Sequence, residues 1–172
     1  MKPHLLVVDD EEVIREVLVE KLSGAGYSCG AASNGQEALS KLRNGGGYSL
    51  VLTDIDMPGQ NGLSLLKEIR KTLPDIDVVM VTGAVDIDTA IHSMRMGASD
   101  YLTKPFNLDE VVLIVERTLE KRRLIRENRE YQLSLERKVD ERTRELTHKS
   151  EEVERLYREL KTAFEQIRSP VE

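Results

Sequence analysis

Residues 51–62 read VLTDIDMPGQNG. A short apolar run ends in two carboxylates one residue apart, Asp54 and Asp56, and a Met57-Pro58-Gly59 turn follows. An apolar run of this length without alternation reads as a strand buried on both faces, the kind a parallel sheet provides. Taken alone, the acidic pair is a metal ligand set, a nucleophile or only a polar loop closing a strand. The surrounding chain has to decide.

Outward from this stretch, apolar runs alternate with helical spacings. The expected strands are residues 4–8, 27–32, 50–53, 78–82 and 101–103, and the expected helices are 11–22, from 34–35 to the glycines at 45–47, 63–73, 86–96 and from 108 onward. Five strands alternating with five helices make βαβ units and an α/β fold with a five-stranded parallel sheet covered on both faces. The glycines at 24, 26 and 30 follow a helix instead of opening one, so they end it and do not form a dinucleotide loop.

In an open parallel sheet, ligands sit beyond the C-terminal strand ends. Those ends carry Asp9, Asp10 and Glu11, then Asp54, then Thr82, then Lys104-Pro105. Carboxylates gathered on one edge repel and call for a cation. Hard oxygen donors suit Mg²⁺, and a lysine and a hydroxyl opposite can hold phosphate oxygens. That combination describes phosphoryl transfer to a carboxylate, with Asp54 as the nucleophile. The bland alternatives are that Asp9 and Asp10 merely favour a helix N-terminus, that Thr82 closes a strand, and that Lys104 is a surface lysine.

LLVVDDEE, VLTDIDMPGQNG, VVMVTG and DYLTKPF stand in the order and spacing of one family, and over about residues 3–120 the chain resembles the CheY-like receiver domain of bacterial two-component response regulators. The resemblance implies a flavodoxin-like (βα)5 fold with strand order 2-1-3-4-5. It implies that Asp54 accepts a phosphoryl group from a sensor histidine kinase or phosphotransfer protein. Asp10, Asp54 and the backbone carbonyl of Asp56 are then the Mg²⁺ shell, with Asp9 assisting through water, and Thr82 and Lys104 contact the phosphoryl oxygens. The Lys104–Pro105 bond is implied to be cis, and Tyr101 to be the aromatic switch that follows Thr82. No external substrate is expected. The rival from another class is an aspartyl-phosphate phosphatase of the haloacid-dehalogenase type, whose DxD resembles Asp54-Ile-Asp56. There the DxD follows the first strand, so the order of motifs argues against it.

Composition divides the chain in two. All 11 glycines lie between residues 24 and 97, and residues 116–169 hold neither glycine nor proline. Residues 1–115 carry 10 Lys+Arg against 17 Asp+Glu, and the remainder 15 against 14, so the acidity belongs to the first part. The organisation expected is a receiver at 1–120, a helical stalk continuous with helix five at 121–169 and a tail at 170–172. Val139, Leu146, Val153, Leu160 and Ile167 recur every seven residues, with Arg142, Lys149, Leu156 and Ala163 between them. That is a coiled-coil seam, preceded by a second seam at Leu124, Asn128, Tyr131 and Leu135 and a stutter at the junction. At about 1.5 Å per residue, roughly 60 helical residues reach some 90 Å.

A parallel homodimer is expected, its helix 4/strand 5/helix 5 face and stalk switching on phosphorylation to control an output module. A constitutive dimer serving as a kinase-docking scaffold is the alternative. LERKVDERTREL also resembles linkers that join receivers to output modules, so the output is either a missing or separate module or the stalk itself.

The net charge of −6 lacks the basic footprint of nucleic-acid binding, and no direct nucleic-acid partner is expected. No apolar stretch approaches the roughly 18 to 20 residues of a membrane span, and a cytoplasmic protein is expected. The single Cys29 cannot form an internal disulfide and reads as a small core residue.

Overall fold

The computed structural model describes residues 2–59, 61–83 and 87–168, the side chains of Ile87, Ile167 and Arg168 excepted. The expected helix start at Asp86, the 170–172 tail and the seam side chain of Ile167 lie outside the described residues. The chain divides into two compact units, Met1–Arg123 and Leu124–Glu172.

In the first unit, β1 (His4–Val8), β2 (Ser28–Ala32), β3 (Tyr48–Asp54), β4 (Asp77–Thr82) and β5 (Asp100–Thr103) alternate with α1 (Glu12–Gly24), α2 (Gly35–Arg43), α3 (Gly62–Thr72), α4 (Ile87–Arg95) and the start of α5 (Leu108–Arg168). The sheet is fully parallel with order β2-β1-β3-β4-β5. This is the α/β flavodoxin-like architecture, with the order reversing between β1 and β3.

Successive residues of each inner strand feed opposite faces, as the two-residue period of a strand requires. Leu6, Val8, Val51, Val78 and Met80 pack with Leu39, Leu42, Leu65 and Leu66 of α2 and α3. Leu5, Val7, Leu50, Leu52, Val79 and Val81 pack with Leu18 and Leu22 of α1 and with Val111, Ile114 and Val115 of α5. These strands read as unbroken apolar runs because neither face meets water.

Helix starts follow local capping chemistry. Asn34 accepts a hydrogen bond from the Glu37 backbone N–H (2.8 Å) at the head of α2, and Asn61 accepts from that of Ser64 (2.9 Å) at the head of α3. Glu37 also reaches back to accept from the backbone N–H and the hydroxyl of Ser33. At the far end of the sheet, Arg122 of α5 bonds Asp77 (3.0 Å) and Asp75 (3.3 Å), and Asp77 accepts from the Ser99 hydroxyl (2.8 Å). These contacts fix the last turns of α5 that belong to this unit. Cys29 is half-buried, and burial pushes its thiol pKa up, with a hydrogen bond to Ser23 offsetting part of the rise. It is therefore a poor nucleophile.

Among the described residues, the second unit is helix only, the remainder of α5 to Arg168. Its seam residues stand in the open: Val139, Leu146, Val153, Leu156 and Leu160 are all exposed. No helix among the described residues is long and apolar enough to cross a membrane.

Candidate functional site

Three strand ends deliver the site. β1 runs out at Val8 and places Asp9 and Asp10 in the turn before α1, β3 ends on Asp54, and β5 is followed by Lys104. Asp9 and Asp54 are buried, 2 % and 5 % exposed, whereas Asp10 is open to solvent. One carboxylate oxygen from each of the three lies within 4.8 Å of the others. At about 5 Å and an effective dielectric near 20, two such charges repel by about 3 kcal/mol. A cation is the natural occupant, and an all-oxygen donor set is the kind a hard divalent ion takes.

Lys104 closes the other side. Its ammonium donates to Asp54 Oδ2 at 2.8 Å and to Asp9 Oδ2 at 3.1 Å, with Glu11 Oε1 at 4.0 Å. Burial is the largest single influence on this ammonium and pulls its pKa down. The hydrogen bonds to Asp54 and Asp9, with their charges, together outweigh it and leave the pKa raised. Lys104 is thus held charged against the two buried carboxylates. Its backbone N–H donates to the Thr82 carbonyl (2.7 Å), which ties the end of β4 to the loop after β5, and the following Lys104–Pro105 bond is cis.

The two aspartates of the opening stretch have different surroundings. Asp54 Oδ1 accepts from the Asp56 backbone N–H (3.3 Å) while its Oδ2 faces Lys104. Asp56 is exposed. The turn beyond it needs Gly59, whose φ of +83° lies in the left-handed region. Thr82 is buried, 3 % exposed, at the end of β4, and Tyr101 stands 44 % exposed on β5. The structure therefore brings Asp9, Asp10, Asp54 and Lys104 together, sets Thr82 at the adjacent strand end and leaves Tyr101 on the outer edge strand.

Two contributors went unread in the sequence. Arg15, in the first turns of α1, donates through Nη1 to the backbone carbonyls of Asp9 (2.7 Å) and Asp10 (3.0 Å), fixing the acid loop. Its position five residues after Asp10, one turn into a helix, was the available signal. Gly62 opens α3 so close to β3 that a Cβ there would lie 2.1 Å from the Asp54 carbonyl oxygen. From the sequence alone, Asn61 and Gly62 carry no role beyond standing after the Met57-Pro58-Gly59 turn.

A reversing parallel sheet with an acidic edge and a bridging lysine defines a receiver-type site. The chain belongs to the response regulator receiver domain family, whose model matches residues 5–116. It is 44 % identical over 113 residues to the DNA-binding transcriptional regulator NtrC of Salmonella typhimurium, a match covering 66 % of this chain and 24 % of that protein. It is 35 % identical over 170 residues to the uncharacterized transcriptional regulatory protein YkoG of Bacillus subtilis, covering 98 % of this chain and 74 % of that one. Among solved structures, NtrX from Brucella abortus superposes with a TM-score of 0.70 at 40 % identity, over 74 % of this chain and 29 % of that one. The chain spans about a quarter of the length of the NtrC proteins it matches.

These relatives correct one expectation. No nucleic-acid partner was expected from the acidic balance, yet relatives at 44 % identity are DNA-binding transcriptional regulators by name. The charge argument fails for a physical reason. Net charge reports the footprint of the residues counted, and binding in a longer polypeptide can be carried by residues outside the matched quarter.

Proposed function

We propose that this protein is a phosphorylation-gated switch of two-component signalling, with Asp54 as the acceptor. The observation that carries the reading is the setting of Asp54. It is a buried carboxylate at a strand end, 2.8 Å from a lysine and clustered with two further carboxylates. In the transfer, an Asp54 oxygen forms a bond to phosphorus while the P–N bond of a sensor kinase's phosphohistidine breaks and its electron pair returns to the imidazole. Later attack by water releases inorganic phosphate and restores the carboxylate. Asp10, Asp54 and the Asp56 carbonyl, with Asp9 acting through water, would hold Mg²⁺, which would supply positive charge for the phosphoryl oxygens. Lys104 neutralises the oxygen nearest it, and Thr82 donates its hydroxyl to another.

The added charge biases a two-state equilibrium of the face made by α4, β5 and α5, with Tyr101 following Thr82. Because α5 supplies residues to both units, a change in its packing passes into the stalk, which we read as a parallel dimer through Val139, Leu146, Val153, Leu156, Leu160 and Ile167. Following the relatives' names, the output is control of transcription through DNA binding by a module joined to the stalk.

The test is incubation with a small phosphodonor and Mg²⁺, read by intact mass. The parent gains one phosphoryl group and Asp54→Asn gains none. Equal labelling of both would sink the assignment.

A further inference from the structure

The exposed apolar side chains of the second unit are ordered around the helix. At about 100° per residue, every exposed large hydrophobic from Leu124 to Phe164 except Ile125 and Leu133 falls within an arc of about 100°. That stripe is too regular for a solvated spacer, and it changes character along its length. Up to Val153 it is narrow, interrupted by Arg142 and Lys149. Beyond Val153 it forks. Val153, Leu156, Leu160 and Ala163 form one seam with heptad steps. Val153, Tyr157, Leu160 and Phe164 form a second, turned by about 50° around the same helix. The second seam takes a four-residue step at Val153, the stutter that relaxes a left-handed supercoil toward a straight helix.

The occupant is fixed by charge. In the distal heptads, framed by Leu146, Val153 and Leu160, Glu145, Glu152 and Glu159 flank the seam on one side and Ser150, Tyr157 and Phe164 on the other, with Lys138 and Thr143 at the equivalent positions of the Val139 heptad upstream. An antiparallel partner sets the glutamate flank of one helix against that of the other, which like charges oppose. A parallel second copy sets each glutamate against an uncharged side chain five residues further on. Arg142, which points into the seam, is already paired with Glu145 of its own helix at 2.8 Å.

A two-stranded pair covers only a narrow stripe, two positions in seven. The distal face offers three. Either seam leaves two side chains uncovered, Tyr157 and Phe164 in one case and Leu156 and Ala163 in the other. Deepening the dimeric-stalk reading above, we propose that the distal stalk pairs in parallel with a second copy of this chain and exchanges between these two seams by rotation about Val153 and Leu160. The stalk's end is then a rotary joint, which delivers a turn to whatever follows it.

The test is disulfide trapping in the full chain carrying Cys29→Ser, with Leu156→Cys, Tyr157→Cys or, as an off-stripe control, Leu133→Cys. A symmetric disulfide needs Cα atoms within about 7 Å, so each seam traps its own position. Covalent dimers are expected at both 156 and 157 at rates within about threefold of one another, and at least about tenfold faster than at 133. Trapping at only one of the two positions leaves the dimer reading standing and overturns the rotary joint. A monomer, trimer or tetramer in sedimentation of the Cys29→Ser chain overturns both. None of these substitutions touches Asp54, so phosphodonor labelling verifies that each variant's receiver is intact.

Discussion

Leu66 in α3 and Leu146 in the distal part of α5 are the same residue type in the same kind of element, with opposite surroundings. Leu66 is fully buried, whereas Leu146 is 67 % exposed. Each helix of the first unit buries apolar residues against the sheet, although Val13, Val17, Ile91, Met94 and Leu113 remain exposed. The second unit has only itself. The difference separates two sources of stability: the receiver's is intramolecular, and the stalk's, on the dimer reading proposed above, is association. The former is independent of protein concentration and the latter would not be.

Leu66→Ala attacks the first half of that comparison directly. It opens a cavity under α3 and is expected to cost about 2–5 kcal/mol, read as a lower urea midpoint for the receiver. Leu146→Ala is expected to leave that midpoint in place and to lower the concentration-dependent melting of the helix. Equal shifts of the receiver midpoint in both variants would break the comparison.

Gly62→Ala sharpens it at the site. Its Cβ would meet the Asp54 carbonyl oxygen at 2.1 Å, so β3 and α3 must part. The expected cost is about 1–3 kcal/mol, with slowed phosphodonor labelling of Asp54. Gly24, the last residue of α1, has nothing within 4 Å of a built Cβ. Gly24→Ala is expected to be neutral or to stabilise by up to about 1 kcal/mol. Unchanged labelling in Gly62→Ala would show that the α3 approach does not position the acceptor.

Arg15→Ala tests whether the acid loop is held from outside the cluster. Loss of a charged donor to two carbonyls loosens the loop that presents Asp10. We expect Mg²⁺ affinity, measured by titration in the absence of phosphodonor, to fall several-fold to about tenfold, with a small change in the urea midpoint. A midpoint shift without an affinity change would assign Arg15 to the fold alone.

These cases also mark what the sequence could convey. The element order, the parallel sheet and the strand-end acids were legible because each rests on local periodicity, and four motifs stand in register. Arg15 was only partly legible, since its spacing from Asp10 is local but the backbone carbonyls it bonds are not named by any motif. Gly62 was not legible, because its role is a distance to the backbone of another element. The closest approach of Gly62, to the carbonyl of Asp54, depends on how α3 docks on β3, and no spacing rule encodes a docking depth. Tyr48 is similar. Its ring lies over Gly30 and Gly46 and stacks on His4, a contact three segments wide that the strand pattern of 48–54 does not announce. The DNA-binding role named for the NtrC relatives could not be read from composition, because the net charge of these residues reports only their own footprint.

The smallest effect expected is acid-specific, and it lies within the receiver. At the head of α2, hydrogen bonds from Lys41 and then from the Ser33 backbone and hydroxyl pull the Glu37 carboxyl down from 4.5 to about 2. Its pKa is depressed in the folded state, so its contribution is fully present above about pH 4.5. It is lost as pH falls through about 2, because the folded protein must then take up the proton that the unfolded chain already holds. The side chain is 39 % exposed, so solvent screening holds the effect to about 1 kcal/mol or less. Glu37→Gln keeps the shape and removes the titration. The stability difference between parent and variant should therefore be largest near neutrality and shrink steadily from pH 4.5 to 2 in denaturant titrations. It should do so equally at low and high protein concentration. A difference that varied with concentration would mean that the α2 face also takes part in association, and the division between a self-contained receiver and an associating stalk would fail at that point.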